Sequence, residues 1–179
     1  EILLRYHAGP ALLRQQADKA ASEREQQVAI FTLLYKDLTR GAYGDFLRDL
    51  SLVPADARPR AEDDYQAPRY TDIALFRWAG SNEFTCPSLK AVATTLSANA
   101  KDAKGLLCLG EFIRNNGLDP YYYGVTQSLD QQPEADELGG SPSLFSGKRF
   151  SRLDAYKTVM ANSAALPDSR AYALYRAVN

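Results

Sequence analysis

The stretch AYKTVMANSAALP, from Ala155 to Pro167, repeats a pattern found far upstream in AYGDFLRDLSLVP, from Ala42 to Pro54. In both stretches a bulky residue follows the first alanine by four positions, and the proline stands eight positions further on. The small residue lets a neighbouring helix approach, the bulky residue fills the groove beside it, and the proline ends the helix. The pattern therefore predicts the second helix of a helical hairpin that occurs twice in the chain.

The rest of the chain has helical periodicity and helix stop signals. Ser22 and Glu25 form a predicted capping box, and Gly41 is the predicted end of the helix that follows. In that helix, apolar residues recur every three to four positions and predict one buried stripe. Helices are expected at 2–7, 11–20, 23–40, 42–51, 71–79, 87–99, 101–116, 150–162 and 168–179, with Leu12 and Leu13 buried and with Thr71 and Asp168 as N-caps. The segments 54–70 and 119–149 are rich in proline or glycine and predict irregular loops.

The two hairpins at 23–54 and 150–179 resemble tetratricopeptide-like helical repeats. Ala42, Phe46 and Pro54 match the small residue, bulky residue and proline of that family's second helix, and 155–167 matches in the same way. Asp49 and Asn162 stand where the family prefers a third small residue. The resemblance implies one all-α domain over 1–179, made of stacked antiparallel helical hairpins that are irregular in the middle. It also implies a surface that binds a protein or peptide, with no ligand carried over.

Composition and charge exclude several functions. The formal net charge of the 179 residues is −1 and the sequence pI is about 5.9, so no field that would attract nucleic acid is expected. No apolar run approaches the roughly 20 residues that a transmembrane helix needs. The chain begins and ends inside predicted helices, so we expect a fragment of a longer protein. The composition, rich in tyrosine, alanine and arginine, favours a bacterial cell envelope over the cytoplasm but does not establish the compartment.

The two cysteines are interpreted as separate thiols. Cys86 begins one predicted helix and Cys108 lies in the middle of the next. If the two helices fold back on each other, Cys108 lies nearer Ala91 than Cys86, and a disulfide requires close Cα atoms. A bridge is possible, but separate thiols are favoured.

Aromatic residues supply the one candidate binding surface. Tyrosine and tryptophan bury a large area at little cost in entropy, and they are common at binding surfaces. The alternative is that they pack structurally beneath an irregular loop. The candidate residues are Tyr65, Tyr70, Trp78, Tyr121, Tyr122 and Tyr123.

No catalytic, cofactor or metal site is predicted. His7 is the only histidine and has no predicted nucleophile beside it, and the acidic run 62–64 lacks the spacing of a calcium loop. The segment 139–149 lacks the glycine and hydroxyl positions of a phosphate loop. Glu83 and Glu111 are the carboxylates nearest apolar residues, and a pair of them could cleave a glycoside if they were held together. The sequence does not place them together: Glu111 is interpreted as a helix-surface charge, and Glu83 as an acid in a first helical turn or a loop.

Three hypotheses for the function follow. The first is a non-catalytic scaffold that binds a protein or peptide. The second is a helical domain of a cell-envelope enzyme that acts on glycan or peptidoglycan. The third is a structural subunit of an oligomer.

Overall fold

The structure is a computed structural model that describes residues 3–57, 71–118 and 144–178 of the chain. Within these ranges every regular element is helical, which confirms the all-α class. A π-helical turn at Leu3–His7 comes first, and 3₁₀ turns lie at Leu50–Leu52 and Ile73–Arg77. The α-helices are α1 (Pro10–Lys19), α2 (Glu23–Thr39), α3 (Tyr43–Asp49), α4 (Leu89–Ala98), α5 (Ala103–Asn115), α6 (Arg152–Ala161) and α7 (Pro167–Val178).

Short polar side chains begin several of these helices, as expected. The Ser22 hydroxyl accepts a hydrogen bond from the Glu25 amide at 3.2 Å, which confirms the predicted start of α2. Ser88, Asp102 and Ser151 cap α4, α5 and α6 in the same way. Gly41, just beyond α2, has a φ of 78°, a backbone angle that favours glycine and ends the helix.

Consecutive helices pack against each other along the chain, from α1 on α2 through to α6 on α7. The core between them contains a run of aromatic rings. Phe76 lies at its centre, with its ring centroid 5.1 Å from Phe31, 6.1 Å from Phe46 and 6.2 Å from Phe112. Aromatic pairs at these separations stabilise the core by about 1 kcal/mol each beyond the area they bury. The 3₁₀ turn that carries Phe76 therefore joins α2, α3 and α5.

Two glycines in α5 mark close helix contacts. A Cβ atom at Gly105 would lie 2.8 Å from the Leu96 side chain of α4, and one at Gly110 would lie 3.2 Å from the Tyr156 ring of α6. A larger residue at either position would force its neighbour to shift, so the two glycines allow α4 and α6 to pack closely on α5.

Several details of the predicted helices are wrong. Residues 28–39 of α2 are buried on every side rather than along one stripe. The reason is that α1, α3 and the turns Leu3–His7 and Ile73–Arg77 all pack against this helix. Leu12 is 45% exposed, while Leu13 is buried. The predicted helix 71–79 is only a 3₁₀ turn that starts at Ile73, and α7 starts at Pro167, so Asp168 lies in its first turn instead of capping it.

The two echoed stretches are both helical, but their helices are in different register. The matching residues Tyr43 and Tyr156 are both buried, and so are the matching residues Phe46 and Val159. However, α3 begins just after Ala42, whereas Ala155 lies inside α6. The predicted irregular segments 54–70 and 119–149 contain no helix in their described parts. None of the described helices is both long and apolar enough to cross a membrane.

Candidate functional site

Of the six candidate aromatic residues, the structure describes only Trp78. Its side chain is half-buried and packs on Phe112, with 5.7 Å between the ring centroids, and its carbonyl accepts a hydrogen bond from Leu89. Trp78 therefore contributes to the core. Tyr65, Tyr70, Tyr121, Tyr122 and Tyr123 lie outside the described residues, so the predicted aromatic surface stays a prediction.

Glu83 and Glu111 were not expected to meet, but two arginines bring them together. Arg114 of α5 donates to Glu111 at 2.7 Å and to Glu83 at 2.5 Å. Arg176 of α7 donates to Glu111 at 3.0 Å and also to Glu83. Glu111 is fully buried, which corrects its interpretation as a surface charge, whereas the side chain of Glu83 is 47% exposed. We call these four residues, with Tyr172, the C-terminal ion cluster.

A short loop places Glu83 beside α7. Ser81 and Cys86 form an isolated β-bridge, and Thr85 between them has a φ of 50°. Phe84 stacks on Tyr172 of α7, with ring centroids 4.2 Å apart. The loop therefore contacts α7 through a charge and an aromatic ring.

A disulfide between Cys86 and Cys108 fixes the same loop to α5, which corrects the interpretation as separate thiols. The two Cα atoms are 5.4 Å apart. The spacing argument failed because Cys86 precedes α4, which starts only at Leu89, and the bridged loop turns back over α5.

The electrostatics of the C-terminal ion cluster keep Glu111 ionised. Burial opposes ionisation, but hydrogen bonds from Arg114 and Tyr172 and the charges of both arginines hold the pKa of Glu111 below its ordinary value. Burial, together with the hydrogen bond to Glu111, raises the pKa of Tyr172 to about 12. A catalytic acid must hold a proton near neutral pH, and Glu111 does not. The arrangement is therefore that of a structural tie between α5, α7 and the loop.

A second cluster, which sequence reasoning missed, joins α1, α2 and α3. Arg14 of α1 donates to Asp49 at 2.9 and 3.0 Å, and Arg48 donates to both oxygens of Asp49 at 3.0 Å. Arg48 also pairs with Asp45 at 2.7 Å, and Asp37 of α2 lies against Asp49, 2% exposed. We call these five residues the N-terminal ion cluster. The sequence contains one indication of this cluster, which is that the charged residue Asp37 lies within the apolar run of α2.

The outer face of α7 is apolar and exposed. Leu174, Tyr175 and Val178 are 55%, 52% and 72% exposed, and Ala171 is exposed one turn before them. The opposite face, with Ser169 and Ala173, is buried against the rest of the protein. These apolar residues recur at helical spacing in the sequence, but spacing alone does not indicate that they face away from the core.

The described surface also has two open clefts. One of about 390 Å³ lies between α2 and the turn Ile73–Arg77, with Glu23 and Asp56 on its lining. One of about 490 Å³ lies between the start of α3 and the end of α4, with Asp45 and Arg48 on its lining. Among the described residues that line them, neither cleft pairs a nucleophile with a histidine base.

The described residues show no group of three or more His, Cys, Asp or Glu side chains placed to hold a metal ion. His7 is half-buried in the first turn. Lys148 pairs with Asp154 at 2.9 Å, and the acidic run 62–64 lies outside the described residues.

Comparison of the chain with family models, with curated proteins and with solved structures finds no match in any of the three.

Proposed function

We propose that the chain is a non-catalytic scaffold that binds a protein partner through stacked helical hairpins related to tetratricopeptide-like repeats. Two features support this arrangement: each helix packs on the next along the chain, and the connections from α4 to α5 and from α6 to α7 are short. Helix pairs stacked in this order form an extended surface on which partners bind.

The observation that carries the proposal is the outer face of α7. Ala171, Leu174, Tyr175 and Val178 occupy positions i, i+3, i+4 and i+7, which form one continuous side of a helix. Three of these side chains are at least half exposed. A contiguous apolar patch that stays exposed on a folded protein is typical of an interaction site.

The partner that fits this face is an amphipathic helix. The outer face of α7 is about two turns long, and its side chains have the spacing that packs into the grooves of another helix. Asp168 and Arg170 lie on either side of this face and are exposed, so they would form a polar rim around the contact.

A photo-crosslinking amino acid at position 174, compared with one at Ala91, tests the proposal. Ala91 is also exposed but lies on α4, away from the outer face of α7. In cells of the source organism we expect a discrete adduct from position 174 that is absent from position 91 and is lost when Val178→Asp is added. The partner is then purified, and its affinity is measured by calorimetry.

In that measurement we expect Leu174→Asp to weaken binding at least tenfold, while Ala91→Asp leaves it unchanged. Equal adducts from both positions, or equal affinities for both variants, would contradict the proposal. An adduct between two copies of the chain, with a dimer in light scattering, would instead favour the structural subunit of an oligomer.

The disulfide favours the cell envelope as the compartment and keeps the second hypothesis, a helical domain of a glycan-cleaving enzyme, in consideration. Disulfides persist in oxidising compartments such as the periplasm and are rare in the cytosol. Incubation with peptidoglycan tests the enzymatic version: soluble fragments should appear and should decrease with Glu83→Gln. An unchanged substrate after long incubation would contradict it.

A further inference from the structure

Asp49 is the most heavily bonded carboxylate of the N-terminal ion cluster. Both of its oxygens accept hydrogen bonds from Arg14 and from Arg48, at distances of 2.9 to 3.2 Å. Charge-assisted bonds of this kind favour the ionised form. Asp49 is therefore a carboxylate that can only accept hydrogen bonds, and its pKa lies below its ordinary value, since the two arginines outweigh the effect of burial.

Asp37 shares a hydrogen bond with this carboxylate. Its side chain is 2% exposed, and its Oδ2 atom is buried with no hydrogen-bond partner. A side-chain hydrogen bond with Asp49 is one of the interactions that raise the pKa of Asp37. Because an ionised Asp49 can only accept, one proton must lie between the two carboxyl groups.

The charges around Asp37 lead to the same conclusion. α1 contributes Arg14, and α3 contributes Asp45, Arg48 and Asp49, so these four groups sum to zero. An ionised Asp37 would add an unbalanced negative charge inside the protein, which is costly. Two turns also pack near α2: Ile73–Arg77, whose Arg77 donates to the carbonyls of Leu50 and Val53, and Leu3–His7, which carries Arg5 and His7.

We propose that Asp37 and Asp49 share a single proton and form a latch between α2 and α3 that alkali opens. With the proton present, the pair is a hydrogen bond across the helix contact. Without it, two carboxylates repel each other where water does not reach. Opening of the latch also affects the contact with α1, because Arg14 of that helix pairs with Asp49.

The direction of the pKa shift agrees with this geometry. Burial, followed by the charges of Asp49 and Asp45, raises the pKa of Asp37 from 3.8 to about 8. Between these two values the folded state holds a proton that the unfolded state has released. The free energy of unfolding therefore falls as the pH rises, and it levels off above about pH 8.

Carbon NMR of protein labelled at aspartate carboxyl groups tests the latch directly. We expect one buried aspartate to titrate near pH 8, and its signal to disappear in Asp37→Asn. An Asp37 signal that titrates near the ordinary aspartate value, or that stays ionised down to low pH, would overturn the proposal. The titration is measured on the unaltered protein, and the variant serves only to assign the signal.

Urea unfolding over a range of pH values provides the second test. The amide of Asp37→Asn can still donate to Asp49 but cannot ionise, so its stability should fall less than that of the original protein between neutral and alkaline pH. Asp154→Asn, at an exposed site paired with Lys148, is the matched control and should keep the original slope. Parallel slopes for Asp37→Asn and the original protein would contradict the latch.

Discussion

The two ion clusters use similar groups but keep their buried carboxyls in opposite states. In the C-terminal ion cluster, Glu83 and Glu111 face Arg114 and Arg176, so two negative charges meet two positive ones. In the N-terminal ion cluster, three carboxyl groups face two guanidinium groups of the described residues, Arg14 and Arg48.

Both clusters contain a carboxyl group that is almost completely buried. Glu111 is 0% exposed and its pKa is lowered, while Asp37 is 2% exposed and its pKa is raised to about 8. Burial alone therefore does not decide whether these groups ionise. The number of guanidinium partners decides it, because each cluster tends toward zero net charge.

The largest effect is expected from Glu111→Ala, which breaks the balanced cluster. Removal of this carboxylate leaves the half-exposed Glu83 as the carboxylate that Arg114 and Arg176 share among the described residues. Loss of one partner from a buried pair costs about 3–5 kcal/mol. Urea unfolding at neutral pH measures the loss.

Glu83→Gln is the control within the same cluster. Its carboxylate is 47% exposed, so solvent screens its pairs and we expect a loss below about 1 kcal/mol. Similar losses for the two variants would show that burial does not separate the two carboxylates as argued.

A smaller loss is expected when the disulfide is removed by Cys86→Ala with Cys108→Ala. The two cysteines are 22 residues apart, and a loop of this length gives a stabilisation of about 3 kcal/mol. The structural change should be confined to the C-terminal ion cluster, because the disulfide holds the loop that carries Glu83. Unfolding with and without a reducing agent measures it.

In the same double variant the NMR signals of Arg114 and Arg176 should shift, while the titration midpoint of Asp37 stays unchanged. A shifted Asp37 midpoint would mean that the two clusters are coupled through the core.

The smallest effect is expected from Asp45→Asn, which brings the N-terminal cluster closer to balance. Asp45 is one of the charges that raise the pKa of Asp37, but it ranks below burial and Asp49. We expect the Asp37 midpoint in carbon NMR to fall by less than about one pH unit. Asp168→Asn, on the distant α7, serves as control, and a rise in the midpoint would contradict the charge argument.

The sequence was sufficient to predict most helices and their ends, because those signals are local. Ser22 caps α2, and Gly41 ends it, within a few residues of the groups they contact. The all-α class follows from the same periodicity. The stacked-repeat arrangement remains a proposal.

The sequence was not sufficient to predict either cluster, because their members are far apart in the chain. Arg176 and Glu83 are separated by 93 positions, and Arg14 and Asp49 by 35. The disulfide was misjudged for a related reason: the bridge depends on a loop before α4 whose path is not visible in periodicity. The aromatic surface lies mainly in residues that the structure does not describe.

The end of α2 and the residue that follows it hold described residues on both sides of the segment 119–143. Tyr35 donates to the carbonyl of Leu118 at 3.2 Å, and Arg40 donates to the carbonyl of Gly147 at 2.7 Å. Five residues of helix span only about 7.5 Å. The fold thus holds the two described flanks near each other, and the cost of joining two fixed ends grows slowly with the length of chain between them. Evolution could lengthen this segment, shorten it or exchange it for another module while the helices around it keep their places.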